Sequence, residues 1–181
     1  KNGNCLNAPC EIWETRYPVR IEAYRIADGS PGSGEHRGGA GVERIWRCLS
    51  PLTISAHLNH TRSPIWGLHG GNAGTNTALL FRRANSDSWL SATELFGTIS
   101  DGKFSNLTLE TGDQILLRTP GGGGYGDPLN RDPHLVATDA RDQLVPLEDT
   151  ARTYGVVLSD SLTPDLQATK QLRAQMRHAT S

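Results

Sequence analysis

The residue types best suited to chemistry gather in one loop, residues 119–128, which reads Thr-Pro-Gly-Gly-Gly-Gly-Tyr-Gly-Asp-Pro. Its four consecutive glycines present backbone N–H groups that no side chain obstructs, so the loop can close over a ligand or form an anion-binding nest. The Lys-Ser/Thr pair of a Walker A phosphate loop does not follow it. The same glycines equally fit a tight strand-to-helix crossover in which backbones pack closely. The residues alone leave both interpretations open.

A second candidate segment, residues 62–71, combines a cation, an aromatic ring and a histidine. Arg62 can recognise a carboxylate or phosphate through two parallel hydrogen bonds, and Trp66 offers a face for stacking. His69 lies among glycines, where it can line a pocket. Alternatively, Trp66 fills the core while Arg62 meets solvent. The residues do not decide between these roles.

Signatures of metal sites and nucleophiles are missing from the sequence. The histidines form no H-E-x-x-H or H-x-H pattern, so we expect surface or structural roles for them. Cys5, Cys10 and Cys48 cannot all pair, and they lack repeated C-x₂-C units. We expect Cys5 and Cys10 in a loop near Pro9, in a reducing, cytoplasmic setting. No G-x-S-x-G elbow occurs, so no catalytic residue and no metal ligand is assigned.

Charge and composition exclude several classes of partner. The chain has 18 basic and 19 acidic side chains and a net charge of −1, so no overall field attracts nucleic acid or an anionic membrane. No uninterrupted apolar run is long enough to encode a transmembrane helix or a signal peptide. The first residue is Lys1 rather than methionine, which indicates processing or a segment of a longer protein.

The elements that must position these residues begin with short strands. Val19, Ile21 and Ala23 alternate with polar residues, as in a half-buried strand. Further strands are predicted at residues 42–49, 52–58, 78–83, 106–110 and 113–118. The glycine-rich stretch 29–41 is predicted to be a hairpin-type connection. Such strands with turn-rich connections indicate an antiparallel sheet, sandwich or barrel rather than βαβ units.

Helices follow the glycine loop. Asp132 and Pro133 form the N-cap and first-turn signature of a helix that runs to about residue 144. A second helix is predicted from residue 147 to Gly155, and a third from residue 163 to about residue 177. The predicted fold is therefore α+β. A mainly antiparallel sheet or sandwich covers about residues 1–128, and a helical C-terminal extension covers residues 129–181.

Several motifs keep a fixed order with the loop. They are Glu11, Tyr17-Pro18-Val19-Arg20, Arg37-Gly38-Gly39-Ala40-Gly41, Pro64-Ile65-Trp66-Gly67-Leu68, Gly70-Gly71, Asn130-Arg131-Asp132-Pro133 and Tyr154-Gly155-Val156-Val157-Leu158. In this order, from about Asn4 to Leu158, they resemble the C-terminal part of the hydantoinase B / 5-oxoprolinase family, which includes N-methylhydantoinase, lactamase and acetone or acetophenone carboxylase subunits. Ala8 replaces a threonine of the family pattern and His69 an aromatic residue, so substrate preference is expected to differ.

The resemblance implies a subunit of an ATP-dependent hydrolase that opens cyclic amides such as hydantoins, 5-oxoproline or lactams. ATP and Mg would act through a hydantoinase A-like ATPase subunit, which phosphorylates the amide oxygen before the hydantoinase B part hydrolyses the ring. A divalent metal would belong to the N-terminal part of the same subunit, whose Gly-Gly-Thr-His-type motif does not occur here. The isolated segment is therefore expected to be inactive.

The expected site combines the loop with the second candidate segment. The predicted substrate-binding or cleft-lining residues are Arg62, Trp66, His69, Gly121, Gly122, Gly123, Gly124, Tyr125 and Asp127. The expected partners are the ATPase subunit, the N-terminal part of the same subunit and a small cyclic amide. Two other functions stay open: a subunit of an ATP-dependent ketone carboxylase of the same family, and a non-catalytic β-rich interaction module.

Overall fold

The strands precede residue 119, and the three helices nearest the C-terminus follow it. The computed structural model describes residues 7–179, so Lys1 and Cys5, on which two predictions fall, lie outside the described residues. The helices are α1 (Cys10–Arg16), α2 (Ala92–Phe96), α3 (Pro133–Arg141), α4 (Leu147–Arg152) and α5 (Leu166–Ala179), with a 3-10 turn at Pro128–Asn130. The strands are β1 (Val19–Ile26), β2 (Val42–Cys48), β3 (Leu52–His57), β4 (Ala78–Arg82), β5 (Leu90–Ser91), β6 (Lys103–Leu109) and β7 (Gln114–Arg118).

The strands form two antiparallel sheets. A five-stranded sheet has the order β1-β2-β7-β4-β5, and β3 pairs with β6 in a second sheet. Together with the helices, the sheets confirm the predicted α+β class. The predicted strands are present, but β6 begins at Lys103 rather than at residue 106. Asn106 on β6 has a φ of +58° and lies opposite a register shift between Ile54 and Ala56 on β3, so the alternation of exposed and half-buried residues on β6 breaks there.

One apolar cluster forms the core of the strand region. Phe81 on β4 is fully buried, and its ring meets Phe96 and Phe104 edge-on at centroid distances of 5.2 and 6.0 Å. The other buried members of this cluster are Cys48, Leu79, Ala92, Leu109 and Ile115. On β3 the half-buried and exposed residues alternate strictly, which confirms the period-two interpretation of this segment.

The structure contains two short helices that the sequence analysis does not predict. α1 begins at Cys10, so the prediction that Cys10 lies in a loop is wrong. α2 begins with a capping box, in which Ser91 accepts a hydrogen bond from the backbone N–H of Glu94 while the Glu94 carboxylate accepts one from Ser91 N. It ends at Gly97, which has a φ of +67°. The Ser-x-x-Glu spacing before a glycine is a sequence signal for this helix.

The three predicted C-terminal helices are present, one of them with a shifted start. Asp132 caps α3 by accepting a hydrogen bond from His134 N at 2.8 Å. α5 begins at Leu166 rather than at residue 163. The reason is that the Asp165 carboxylate accepts hydrogen bonds from the backbone N–H groups of the second and third residues after it.

The chain divides into two units, each drawn from three stretches of sequence. The first unit comprises the residues up to 25, 43–59 and 78–117. The second comprises residues 26–42, 60–77 and those from 118 onward. The first unit holds the apolar cluster around Phe81, whereas the second holds α3, α4, α5 and the glycine loop. The predicted boundary at residue 128 stays a prediction.

Within the second unit, three chain segments pack backbone against backbone. We refer to residues 30–41, 65–75 and 119–126 as the glycine layer. Gly32 N donates a hydrogen bond to Gly122 O at 2.8 Å, and Gly122 N donates one to Gly39 O at 2.9 Å. Gly124 N donates to Asn72 O at 2.9 Å. The 119–126 segment is therefore hydrogen-bonded to both of the others.

The layer has no room for side chains at many of its glycines. A Cβ atom on Gly121 would lie 1.7 Å from Ser30 O, and one on Gly38 would lie 1.9 Å from Gly122 O. In each of these two glycines, the α-hydrogen that occupies the position of the absent Cβ points at a carbonyl oxygen, as in weak Cα–H···O contacts. Other layer glycines whose Cβ would come closer than 3.0 Å to backbone atoms are Gly32, Gly34, Gly41, Gly67, Gly71, Gly74, Gly122, Gly123 and Gly124. Close approach of the backbones therefore requires glycine here.

A buried ion-pair network ties the first segment of the layer to α3. Asp139 accepts hydrogen bonds from Arg37 Nε at 2.9 Å and from Arg131 Nη2 at 2.7 Å. Arg131 also donates to Glu35 O at 2.9 Å. Arg131 and Asp139 are both buried, which strengthens the pair and makes loss of either partner costly. Because Glu35 and Arg37 flank His36, the network holds the chain on both sides of that residue.

The neighbouring glycines Gly38 and Gly39 give a matched test of the layer. Gly38→Ala places a methyl group against Gly122 O, and we expect it to lower the free energy of unfolding by more than about 2 kcal/mol. A Cβ on Gly39 meets nothing within 4 Å, so Gly39→Ala should change stability by less than about 1 kcal/mol. Urea unfolding followed by circular dichroism measures both. Equal effects of the two variants would contradict the packing account.

Removal of the Asp139 carboxylate tests the network. Asp139→Ala leaves buried Arg131 without its carboxylate, and we expect a loss of about 3 kcal/mol in the free energy of unfolding. Asp149→Ala is the control, since Asp149 pairs with the exposed Arg152 and should matter far less. Thermal unfolding of both variants gives the comparison. A fully stable Asp139→Ala protein would show that the network does not hold the layer.

Candidate functional site

All three segments of the glycine layer present exposed side chains, and most of the five considered as one set are aromatic. We refer to His36, Trp66, Leu68, His69 and Tyr125 as the aromatic rim. Tyr125 forms an antiparallel bridge with His36 and a parallel bridge with Leu68, so its backbone lies between theirs. Its ring centroid is 4.9 Å from that of His69 and 6.2 Å from that of His36. Tyr125 is 50% exposed and Trp66 is 72% exposed, so the rim is available for contact.

A tight turn directs His69 toward Tyr125. Gly71 N donates a hydrogen bond to Leu68 O at 3.0 Å, which closes the turn. His69 has a φ of +50° and Gly70 a φ of +92°, so the two central residues of this turn adopt left-handed conformations. A non-glycine residue with positive φ is uncommon, and such residues often occur at functional sites.

The structure joins some of the predicted site residues and separates others. His69 and Tyr125 are in ring contact, and Trp66 is exposed rather than part of the core. Arg62 is exposed, and among residues 7–179 no hydrogen bond, ion pair or ring contact links it to the rim. Asp127 caps the 3-10 turn, since its carboxylate accepts a hydrogen bond from Leu129 N at 2.8 Å. The carboxylate of Asp127 therefore has a local structural partner.

The four loop glycines serve the layer from within. The N–H groups of Gly122 and Gly124 donate to backbone carbonyls of the other two segments, so they do not face an anion. A Cβ on Gly123 would lie 1.9 Å from Trp66 O, which shows how closely the loop supports the segment that presents Trp66. Of the two interpretations of the loop, this geometry favours close backbone packing over an anion-binding nest. The loop therefore affects the aromatic rim by packing against the backbone segments that carry the rim residues.

No local pattern in the sequence predicts a site role for His36. It lies in a glycine-rich stretch interpreted as a hairpin connection, and nothing in local spacing indicates that this stretch pairs with Tyr125, far along the chain. His36 N donates to Tyr125 O at 2.9 Å, and Tyr125 N donates to His36 O at 2.8 Å. This pairing results from the packing of glycines that lie far apart along the chain. No local pattern in a single sequence predicts it.

The rim can bind and orient a planar polar ligand. Imidazole and phenol rings stack against flat groups, and each also carries a hydrogen-bond donor or acceptor. The exposed indole of Trp66 adds a large apolar face. Within residues 7–179, no group of three or more His, Cys, Asp or Glu side chains is placed to hold a metal ion. We therefore derive no metal-dependent step from these residues.

Cys48 is not an activated nucleophile. Burial raises the pKa of the Cys48 thiol to about 11, and the nearby Asp113 carboxylate adds to the rise. Since the thiolate is the reactive form, Cys48 is inert at neutral pH. Cys10, on α1, is half-buried.

In the part of the chain that the structure describes, no helix has the length and apolar character needed to cross a membrane.

Comparisons with known proteins agree on one family. The model of the family described as hydantoinase B/oxoprolinase matches residues 1–128. The B-type subunit of a putative D-/L-hydantoinase from Pseudomonas sp. (strain NS671) is 32% identical over 170 residues, which are 94% of this chain and 27% of that protein.

Solved structures show the same similarity. The ATP-dependent caprolactamase from Pseudomonas jessenii aligns with a TM-score of 0.75 and 27% identity, over 93% of this chain and 28% of that one. A nucleotide-free acetone carboxylase aligns with a TM-score of 0.73 and 25% identity, over 96% of this chain and 26% of that one. This chain thus spans little more than a quarter of the length of these relatives. The family match over most of the chain shows that it belongs to the hydantoinase B/oxoprolinase family.

Proposed function

We propose that this chain forms the C-terminal part of a hydantoinase B-like subunit of an ATP-dependent hydrolase that opens a cyclic amide, such as a hydantoin, 5-oxoproline or a lactam. The relatives support this proposal, since they include one component of a putative hydantoinase and an ATP-dependent caprolactamase. A hydantoinase A-like ATPase subunit supplies ATP and Mg, and the N-terminal part of the same subunit supplies a divalent metal. The complex works in the cytoplasm, where ATP is available.

The observation that carries the proposal is the aromatic rim on its rigid support. A cyclic amide is small, planar around its amide group and polar at one edge, so it can stack on Tyr125 and His69 while it hydrogen-bonds to their polar atoms. The backbone hydrogen bonds on both sides of Tyr125 fix the backbone that carries this side chain before a ligand arrives. Such preorganisation lowers the entropy lost on binding.

The chemistry explains why a second subunit is needed. Resonance stabilises an amide and makes its carbonyl carbon a poor electrophile. Transfer of a phosphoryl group from ATP to the amide oxygen, on the partner subunit, creates a leaving group and a carbon that water can attack. In this scheme the rim borders the cleft where the ring is held, and the catalytic ligands belong to the N-terminal part of the subunit.

A ketone carboxylase is the second candidate. The acetone carboxylase structure aligns over 96% of this chain, so the same architecture occurs in an enzyme of that type. Activation of an enol oxygen by phosphoryl transfer parallels activation of an amide oxygen. ATP turnover that requires both a ketone and bicarbonate would select this function over ring opening.

Replacement of Tyr125 tests the proposed role of the rim. We expect Tyr125→Ala, in the full-length subunit copurified with its ATPase partner, to lower amide-dependent ATP hydrolysis about tenfold or more, because a stacking contact worth about 1 kcal/mol and a hydrogen-bonding group are both lost. Tyr125→Phe separates these two contributions, since it keeps the ring. Phosphate release assays with hydantoin, 5-oxoproline and caprolactam measure the effect.

Tyr17→Ala is the matched control. Tyr17 is 52% exposed, close to the exposure of Tyr125, and lies outside the rim. It should keep turnover within about twofold. Full turnover by a Tyr125→Ala complex with an unchanged melting temperature would contradict the role of the rim. A wild-type complex without ATP turnover on any cyclic amide or ketone would contradict the proposed function itself.

A further inference from the structure

Arg44 on β2 is a buried cation that has no partner oxygen in the described part of the chain. Only 9% of its surface is exposed. Its guanidinium carbon lies 4.0 Å from the Tyr24 ring centroid and 5.5 Å from that of Trp46. Among residues 7–179 its side chain makes no hydrogen bond or ion pair, although a guanidinium carries five N–H donors. Burial of a charge without such partners is costly.

Comparable arginines in the chain donate to an oxygen. The half-buried or buried arginines with such an acceptor are Arg37, Arg47, Arg82, Arg83, Arg131 and Arg173. Glu43, next to Arg44, accepts from Arg25 Nε at 2.9 Å. Since consecutive residues of a strand face opposite sides, Glu43 is turned away from Arg44. Arg44 therefore differs from these other cations.

The two rings contact the guanidinium through cation–π interactions, and no hydrogen bond joins it to either side chain. Stacking covers the faces of a guanidinium, whereas its N–H groups lie in the plane and point outward. Trp46 adds a second unsatisfied donor, because its buried indole Nε1 has no hydrogen-bond partner among the described residues. Buried donors without partners are rare in folded proteins, and each needs an explanation. Trp46 Nε1 is a fully buried donor without a partner, and it lies next to a guanidinium whose N–H groups donate to no oxygen of the described residues.

We propose that Arg44 and Trp46 form a carboxylate-binding site. The fork of the guanidinium matches the two oxygens of a carboxylate, and Trp46 Nε1 donates a further hydrogen bond. Tyr24 keeps the guanidinium in place, and its own hydroxyl accepts a hydrogen bond from Asn7 Nδ2 at 3.0 Å. The site lies in the first unit, apart in sequence from the aromatic rim, so it does not depend on the proposed amide chemistry.

The chain supplies an internal control for this site. Arg82 also stacks on an indole, with its guanidinium carbon 4.8 Å from the Trp89 ring centroid. Unlike Arg44, however, Arg82 donates through Nε to Gln114 Oε1 at 2.6 Å. The two arginines therefore share a cation–π contact and differ in hydrogen bonding. A carboxylate should bind at Arg44 and not at Arg82.

Titration with sodium propionate tests the site. The indole N–H signals of Trp46 and Trp89 are followed by ¹H–¹⁵N NMR in the 181-residue chain, at constant ionic strength set with sodium chloride, and are assigned with Trp46→Phe and Trp89→Phe. We expect a saturable shift of the Trp46 signal in the millimolar range, and no shift of the Trp89 signal. Arg44→Gln should abolish the shift, and Arg44→Lys should weaken binding about tenfold.

The same titration of the full-length subunit identifies the source of the carboxylate. If propionate binds both proteins, the site takes a free small carboxylate. If it binds only the 181-residue chain, an Asp or Glu side chain from elsewhere in the subunit occupies the site. Arg44→Met should then lower the melting temperature of the subunit because that carboxylate loses its partner.

Three results would overturn the proposal. The first combines two observations. The Trp46 signal does not shift in the 181-residue chain or in the full-length subunit, and Arg44→Met leaves the melting temperature of the subunit unchanged or raises it. The second is an equal shift of Trp46 and Trp89, which would indicate a general salt effect. The third is a shift that persists in Arg44→Gln, which would place the anion away from the guanidinium.

Discussion

The close approach of three backbones in the glycine layer is the constraint on which the candidate site depends. Side chains separate neighbouring chain segments in most folded proteins, but here carbonyl oxygens occupy the positions that Cβ atoms would take. This brings Tyr125, His36 and His69 within ring contact, although they come from distant parts of the sequence. The glycines thus determine the geometry of the rim without taking part in it.

Buried charges in this chain differ in whether they have a hydrogen-bonded partner. Asp113 is buried in the first unit, where its carboxylate accepts hydrogen bonds from Arg83, Ala84 N and Glu110 N. Asp139 does the same in the second unit for Arg37 and Arg131. These carboxylates hold loops against regular elements. Arg44 differs from Arg131, which is also buried, because its neighbours supply rings rather than oxygens.

Local signals in the sequence predict the elements well. Alternation over Leu52, Ile54 and Ala56 identifies β3, and Asp132 before Pro133 identifies the start of α3, because each depends on neighbouring residues only. The capping box of Ser91 and Glu94 is an equally local signal for α2, which the sequence-based prediction overlooks.

The long-range pairing of His36 with Tyr125 has no such signal, because glycine side chains carry no pattern that specifies a partner. Motif order identifies the family, yet it does not separate the loop's packing role from a ligand-binding role. The hydrogen bonds that Gly122 N and Gly124 N donate to backbone carbonyls favour the packing role, and the sequence does not predict these bonds because their acceptors lie far away along the chain.

The most direct measurement of the central claim is a crystal structure of the full-length subunit, in complex with the proposed ATPase subunit, with a cyclic amide bound. The account predicts that ring atoms of the amide lie within about 4 Å of the Tyr125 or His69 side chain. A cyclic amide bound in the catalytic cleft without contact to any residue of the aromatic rim would contradict it.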